Sequence, residues 1–101
     1  MKLDHNINSD YIEILGQRYN IIKTTNLELY NIKGSIPNQV YMLKNLRMLK
    51  LNGSDLNGGI SCQIKKLQKL THLDLSFNKL SGYIPNEVFK LKKLTSLNLK
   101  S

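Results

Sequence analysis

The repeated spacing of leucines constrains this chain more than any other feature. The stretch LDLSFNKLSGYIP at residues 73–85 returns at residues 49–61 as LKLNGSDLNGGIS and again, in weaker form, at residues 25–37 as TNLELYNIKGSIP. A fixed period in the twenties with this leucine spacing is typical of stacked repeats. The sequence therefore predicts units at residues 1–24, 25–48, 49–72 and 73–96, followed by the start of a further unit at residues 97–101.

The hydrophobic period changes halfway through each unit. Leu73 and Leu75 are two apart, which predicts a short strand, whereas Val88, Leu91 and Leu94 are three apart, which predicts a helical or 3₁₀ return. A strand that reaches a parallel neighbour through so short a crossover builds a coil of stacked units.

One unit carries a complete motif. Read from Leu67 to Val88, the sequence fits the pattern LxxLxxLxLxxNxLxGxIPxx with a further apolar residue after the proline. The chain therefore resembles the leucine-rich repeat family, and within it the plant-type class of 24-residue repeats, closely over residues 25–101 and weakly over residues 1–24. The resemblance implies an α/β, right-handed solenoid with short parallel strands on a concave face and irregular, 3₁₀ or short helical segments on a convex face.

The asparagine of this motif is present in only some units. In the family it forms a hydrogen-bonded ladder along the coil, but Tyr30 and Ser54 occupy its column here. We expect this ladder to be broken in the N-terminal half.

Residues 1–24 admit two interpretations. They are either a degenerate first repeat or an N-terminal cap, because Ile12, Leu15, Tyr19 and Ile22 also lie at helical spacing. Gly16 in the middle of that stretch disfavours a regular helix. Both interpretations stay open.

Alternation along each predicted strand points the residues between the leucines onto the concave face. This face predicts a ligand-binding surface, with a solvated surface of no binding role as the alternative. An exposed aromatic at Phe77 would suit a binding hot spot, although packing against the next unit is the competing expectation. The candidate site residues are Lys50, Asn52, His72, Asp74, Ser76, Phe77 and Asn98.

Nothing in the sequence predicts catalysis. We find no paired carboxylates, no phosphate-binding glycine loop and no Ser/His/Asp arrangement, and the isolated His72 has no nearby partners for a metal. With one cysteine, Cys62, no internal disulfide can form. We therefore expect a protein that is not an enzyme and that needs no cofactor and no metal.

Family resemblance implies a recognition module, receptor-like in type, whose partner is a protein or peptide. A structural segment that only extends a longer repeat array is the second hypothesis. The third starts from the formal net charge of +8, since basic residues in the return segments predict a ridge that could contact nucleic acid or an anionic membrane. A solvated lysine face is favoured over that contact. The ridge residues are Lys44, Arg47, Lys65, Lys66, Lys69, Lys90, Lys92 and Lys93.

The compartment stays open. No secretory signal and no run of about 18 apolar residues is visible in this sequence. The default expectation is an intracellular protein, or an extracellular one if the chain is a fragment of a receptor-like protein.

Overall fold

Short strands and 3₁₀ helices alternate along the chain. The structure is a computed structural model, and it describes residues 10–53, 55–56, 58–78 and 84–100. The strands are β1 (Tyr11–Ile14), β2 (Gln17–Asn20), β3 (Asn26–Glu28), β4 (Lys33–Gly34), β5 (Met48–Lys50), β6 (Asp55–Leu56), β7 (His72–Asp74) and β8 (Ser96–Asn98). The 3₁₀ helices are Asn38–Met42, Cys62–Lys66 and Asn86–Lys90.

The predicted parallel strands form one four-stranded sheet in the order β3-β5-β7-β8. At the centre of each of the first three strands lies a buried leucine, Leu27, Leu49 or Leu73, while the residues on either side are exposed or half-buried. The prediction from the period-two pattern is thus confirmed for these strands, because one side of the sheet faces the core and the other faces solvent.

The three-residue spacing of the return segments produces 3₁₀ geometry. In the unit of residues 49–72, Ile64 N–H donates to Ser61 O, Leu67 N–H to Ile64 O and Leu70 N–H to Leu67 O, at 3.0–3.1 Å. A 3₁₀ helix has three residues per turn, so apolar residues three apart share one side of it. That side is turned inward, because Ile64, Leu67 and Leu70 are all buried.

A single hydrophobic cluster fills the space between the sheet and the 3₁₀ helices. Each fully buried leucine or isoleucine contributes about 1.5–3 kcal/mol before the entropy of ordering the chain is counted. Burial weakens toward β8, where Leu97 is 37% exposed. The leucines are therefore structural residues, and any binding group must lie between them.

The register of the first step differs from the predicted one. The sheet pairs Leu27 with Leu49, Leu49 with Leu73 and Leu73 with Leu97, so the first step is two positions shorter than the other two. The alignment of Thr25 with Leu49 is therefore wrong. β4 keeps the short step, because Gly34 pairs with Leu56, whereas the 3₁₀ helices that begin at Asn38 and Cys62 show the full step. The shortening therefore lies between β4 and the first 3₁₀ helix.

Backbone conformations support the corrected register. Asn31, Gly53 and Phe77 all have positive φ, at 60°, 71° and 58°. The step from Asn31 to Gly53 is short, like that from Leu27 to Leu49, and the step from Gly53 to Phe77 is full, like that from Leu49 to Leu73. The chain thus makes the same left-handed bend after β3, β5 and β7. The predicted alignment places Leu29 in this column, but Leu29 is buried and Asn31 makes the bend.

Glycines in the column of Gly34 and Gly58 were predicted to need either a positive φ or a close approach of the backbone, and Gly34 shows the first and Gly58 the second. Gly34 has a φ of 85°, whereas a Cβ on Gly58 would lie 2.8 Å from Ser35 Oγ. Gly34 is the last residue of β4, which pairs with β6 in a small parallel sheet, and Gly58 follows β6. Gly82 of the same column, together with Leu80, Ser54 and residues 1–9 of the predicted first unit, lies outside the described residues.

The N-terminal part of the described chain is an antiparallel hairpin of β1 and β2. The helical cap is therefore wrong for these residues: Leu15 and Gly16 form a two-residue turn with φ of 50° and 85°, and Ile22 is exposed. Ile12 and Ile14 instead follow the period of a strand, and Ile14 is buried in the core.

Candidate functional site

The solvent side of the four-stranded sheet carries the polar residues that the strand alternation predicts. We call it the sheet face and define it by the residues that flank the central leucine of each strand. They are Asn26 and Glu28 on β3, Met48 and Lys50 on β5, His72 and Asp74 on β7, and Ser96 and Asn98 on β8. Adjacent strands lie about 4.8 Å apart, so neighbouring side chains on this face are within reach of one ligand.

A shallow pocket of about 230 Å³ lies on the sheet face. It brings together four of the predicted site residues, Lys50, His72, Asp74 and Asn98, from three neighbouring strands. Its lining is completed by Met48, Leu73 and Ser96. Such a pocket has the size of one or two side chains of a partner, and it presents both charges, an imidazole and an amide.

The part of the sheet face on β3 and β5 is organised by Glu28. Its Oε2 lies 4.0 Å from Lys50 Nζ, and its Oε1 accepts a hydrogen bond of 2.6 Å from the Tyr30 hydroxyl. This bond and the carboxylate charge raise the pKa of the Tyr30 phenol. Glu28 thereby holds Lys50 at the edge of the pocket, through an exposed ion pair of small energy.

Asp74 is fixed from one side. Its Oδ1 accepts hydrogen bonds from Ser76 N–H at 3.0 Å and from Ser76 Oγ–H at 2.6 Å. Oδ2 accepts none from any residue in the described ranges, so it is the atom left for a partner. Two donors on one oxygen orient the carboxylate before any ligand arrives, and such preorganisation reduces the cost of binding.

Ser76 itself is not exposed. The prediction that it points into solvent is wrong, because Ser76 is only 2% exposed. Strand alternation ends at Asp74, the last residue of β7, and the chain then bends toward its left-handed residue at Phe77. Ser76 therefore supports the site through Asp74 instead of contacting a ligand.

Phe77 and Asn52 lie beside the pocket and do not line it. Phe77 is 61% exposed, so the expectation that it packs against the next unit is wrong. Its backbone N–H donates to Lys100 O at 2.6 Å, which ties the bend to the segment after β8. Asn52 is half-buried in the turn after β5.

His72 makes no metal site with its neighbours. Thr71 Oγ1 lies 2.9 Å from His72 Nδ1 and also donates to Arg47 O. Across the residues that the structure describes, no group of His, Cys, Asp and Glu could hold a metal ion. The imidazole is thus a hydrogen-bonding group on an exposed strand.

Three residues of the pocket lining are not among the candidate site residues predicted from the sequence. Met48 and Ser96 stand at flanking positions that alternation already places on the sheet face, so that signal was available. Leu73 is buried as predicted but forms the floor of the pocket. The contact of Glu28 with Lys50 was missed because the predicted alignment places Asn26, not Glu28, opposite Lys50.

The asparagine ladder is reduced to Asn78 within the described part of the chain. The Asn78 side chain is buried, donates from Nδ2 to Leu51 O, Leu75 O and Ser76 O, and accepts from Leu56 N–H at Oδ1. In the corrected register Ile32, not Tyr30, is equivalent to Asn78, because each follows the left-handed residue of its bend. Tyr30 is exposed and bonds Glu28. Asn78 therefore locks the bend beside the site to the preceding unit.

Comparison with known proteins identifies the repeat. No curated protein matches the chain. None of the helices formed by the described residues is long and apolar enough to cross a membrane. Residues 63–101 match the family model described as Leucine rich repeat. The matched part includes β7, β8, the third 3₁₀ helix and most of the second, and the match supports a leucine-rich repeat there.

Proposed function

We propose that this chain is a non-catalytic recognition module that binds a protein or peptide through the sheet face. The observation that carries the proposal is the pocket, because it gathers Lys50, His72, Asp74 and Asn98 from three strands at one place. Leucine-rich repeat domains generally mediate protein binding, which favours the same conclusion.

The chemistry of the pocket suits a polypeptide. Lys50 and Asp74 offer opposite charges, His72 and Asn98 add hydrogen-bonding groups, and the half-buried Met48 adds apolar surface. Protein interfaces combine an apolar centre with polar and charged groups in the same way. A partner that carries both an acidic and a basic side chain fits this arrangement best.

Phe77 is the proposed aromatic anchor beside the pocket. A phenylalanine with positive φ is held in a strained conformation, and a 61% exposed ring leaves much apolar area in water. Neither feature contributes to the core. Both are accounted for if the ring is buried by a partner, since exposed aromatics are enriched among binding hot spots.

We further propose that the repeats belong to the plant-type class and form a short solenoid with the sheet face on its concave side. The equal steps from Leu49 to Leu73 to Leu97, and the Ile84-Pro85 pair before the third 3₁₀ helix, support this class. A receptor-like role follows from the same resemblance.

The proposal is tested by selecting peptides from a random display library with the purified chain and measuring their affinity by calorimetry. Lys50→Ala and Asp74→Ala should each weaken the best peptide by about tenfold or more, because both remove a charge from the pocket. Lys33→Ala and Asp55→Ala are the matched controls, since they remove the same side chains from β4 and β6, away from the sheet face.

Equal affinities for all four variants would contradict the proposal and favour a segment that only extends a repeat array. Failure to select any peptide that competes for the sheet face would do the same.

A further inference from the structure

A second surface of the molecule is strongly basic. Six lysines lie in the second and third 3₁₀ helices and in the turns that follow them, and all six are exposed. We call this surface the lysine face. Its members are Lys65, Lys66, Lys69, Lys90, Lys92 and Lys93.

The stacking of the units places these lysines in rows. The helices Cys62–Lys66 and Asn86–Lys90 begin at equivalent positions of successive units and pack against each other. Lys66 and Lys90 occupy the same position in their helices, and Lys69 and Lys93 the same position in the turns. Like charges are therefore brought next to each other, which produces a positive potential that attracts anions.

The protein supplies no such anion among its described residues. The ion pair of Lys50 with Glu28 lies on the sheet face, and none of the six lysines makes one within the described ranges. Among the described residues, Lys66 Nζ donates a hydrogen bond to the neutral Gln63 Oε1, at 3.3 Å. The carboxylate in these helices is Glu87, which is half-buried. Positive charge is thus segregated on this face, whereas the sheet face carries both signs.

Large apolar side chains stand among the lysines. Phe89 is 70% exposed and lies in the same 3₁₀ helix as Lys90, in the position that Lys65 holds one unit earlier. Met42, 47% exposed, occupies the position of Lys66 and Lys90 in the first 3₁₀ helix. Basic residues with an exposed aromatic are typical of surfaces that lie in a membrane interface.

We propose that the lysine face binds the surface of an anionic phospholipid bilayer, with Phe89 entering the headgroup region. A bilayer is favoured over nucleic acid because the six cations are all lysines, whereas Arg47 of the predicted ridge directly precedes β5 and is not part of this face. One exposed ring also offers no series of stacking platforms for bases. The lysine face and the sheet face are different surfaces, so lipid binding leaves the pocket accessible.

Co-sedimentation of the full chain with vesicles tests this inference. The vesicles contain phosphatidylcholine with or without about one third phosphatidylserine, at about 0.01 M ionic strength, where screening is weak. The chain should sediment with the anionic vesicles and stay in solution with the neutral ones. Binding should weaken as salt is added.

Two triple variants separate this face from net charge. Lys66→Gln, Lys90→Gln and Lys93→Gln together should reduce vesicle affinity by about tenfold or more, since each lysine near an anionic surface adds attraction. Lys23→Gln, Lys33→Gln and Lys100→Gln together remove the same charge elsewhere and should have a much smaller effect. Circular dichroism establishes that both variants are folded. Phe89→Ser should weaken binding without changing net charge.

Three results would overturn the inference. The first is no sedimentation with anionic vesicles at low salt. The second is an equal loss for the two triple variants, which would indicate attraction by net charge alone. The third is tighter binding to a DNA duplex or to single-stranded DNA than to the vesicles, which would assign the face to nucleic acid.

Discussion

In the bend after β7, buried structural residues alternate with an exposed residue that is a candidate for binding. Ser76 and Asn78 are buried and hydrogen-bonded, whereas Phe77 between them is exposed with positive φ. Ser76 fixes the Asp74 carboxylate, and Asn78 fixes the backbone that carries both. The bend therefore presents one aromatic ring and one oriented carboxylate on a rigid base.

Asn78→Ala should lower the free energy of unfolding by about 2–4 kcal/mol, measured by urea denaturation, because it breaks a buried hydrogen-bond network. It deletes the donor to Leu51 O, Leu75 O and Ser76 O and leaves the buried Leu56 N–H without its acceptor. Asn86→Ala, at an exposed position of the third 3₁₀ helix, is the control and should stay within about 0.5 kcal/mol of the parent. Equal effects would show that Asn78 is not a structural residue.

Phe77→Asn should change stability and binding in opposite directions. Asparagine tolerates positive φ, as Asn31 does at the same bend, so the free energy of unfolding should rise by about 0.5–1 kcal/mol. Affinity for a peptide selected on the parent chain should fall about tenfold, because the anchor ring is gone. A loss of stability would contradict this, since it would mean that the ring contributes to packing.

The buried Tyr41 hydroxyl should lower the stability of the protein at alkaline pH. It is buried and makes no hydrogen bond of ordinary length and angle to a described residue. Burial raises the pKa of the phenol above its ordinary 10.0, and this effect outweighs the nearby Ser61 backbone, which lowers the pKa. The stability tied to the neutral phenol is therefore complete below about pH 10 and is lost as pH rises through the raised folded value.

Tyr41→Phe should be as stable as the parent or more so at about pH 7, because it removes an unsatisfied buried group. Its stability should fall less than that of the parent between about pH 9 and 11. Thermal melts across this range measure the difference. Parallel pH profiles for the two proteins would show that Tyr41 does not titrate with unfolding.

At the scale of elements, the hairpin of β1 and β2 shows where local geometry overrides apparent periodicity. Its turn needs two residues with positive φ, and Gly16 supplies one without strain while Leu15 supplies the other at a cost. Leu15 is also 60% exposed, so packing of its side chain stabilises the fold little.

Leu15→Asn should raise the free energy of unfolding by about 1 kcal/mol, because asparagine tolerates the left-handed region that leucine resists. Leu15→Val, with a β-branched side chain at the same φ, should lower it. Denaturant titrations of the three proteins measure both shifts. The reverse order of stabilities would mean that the exposed leucine packs in solution.

Much of this arrangement of elements follows from the sequence. Leucines two apart give the parallel strands, and apolar residues three apart give 3₁₀ helices that begin at Asn38, Cys62 and Asn86. The shortened first step could not be read, because Thr25-x-Leu27 and Leu27-x-Leu29 fit a strand equally well. The position of β3 was thus ambiguous, although the predicted register of the 3₁₀ helices holds in all three units.

The residues of the candidate site could be predicted only within the strands, where side chains alternate between the two sides of the sheet. Lys50, His72, Asp74 and Asn98 flank strand leucines, and the pocket contains all four. Alternation ends with the strand, so it could not give the burial of Ser76 or the exposure of Phe77. Both depend on the left-handed bend, which the sequence marks with glycine in only one unit.

The whole molecule divides into two surfaces on opposite sides of one core. The sheet face has a pocket, charges of both signs and a preorganised Asp74, which favours a specific polypeptide partner. The lysine face has one sign of charge and an exposed ring, which favours an extended anionic surface. Two such faces would let one small domain hold a partner while it rests on a membrane.

Amide-shift mapping by NMR tests the central claim most directly. The isotope-labelled chain is titrated with a peptide selected from the display library, and each backbone amide is followed. The largest shifts should lie at Lys50, His72, Asp74 and Asn98, with smaller shifts at Phe77. Largest shifts in the 3₁₀ helices, at residues such as Lys66 and Lys90, with an unchanged sheet face, would contradict the claim that the sheet face is the recognition surface.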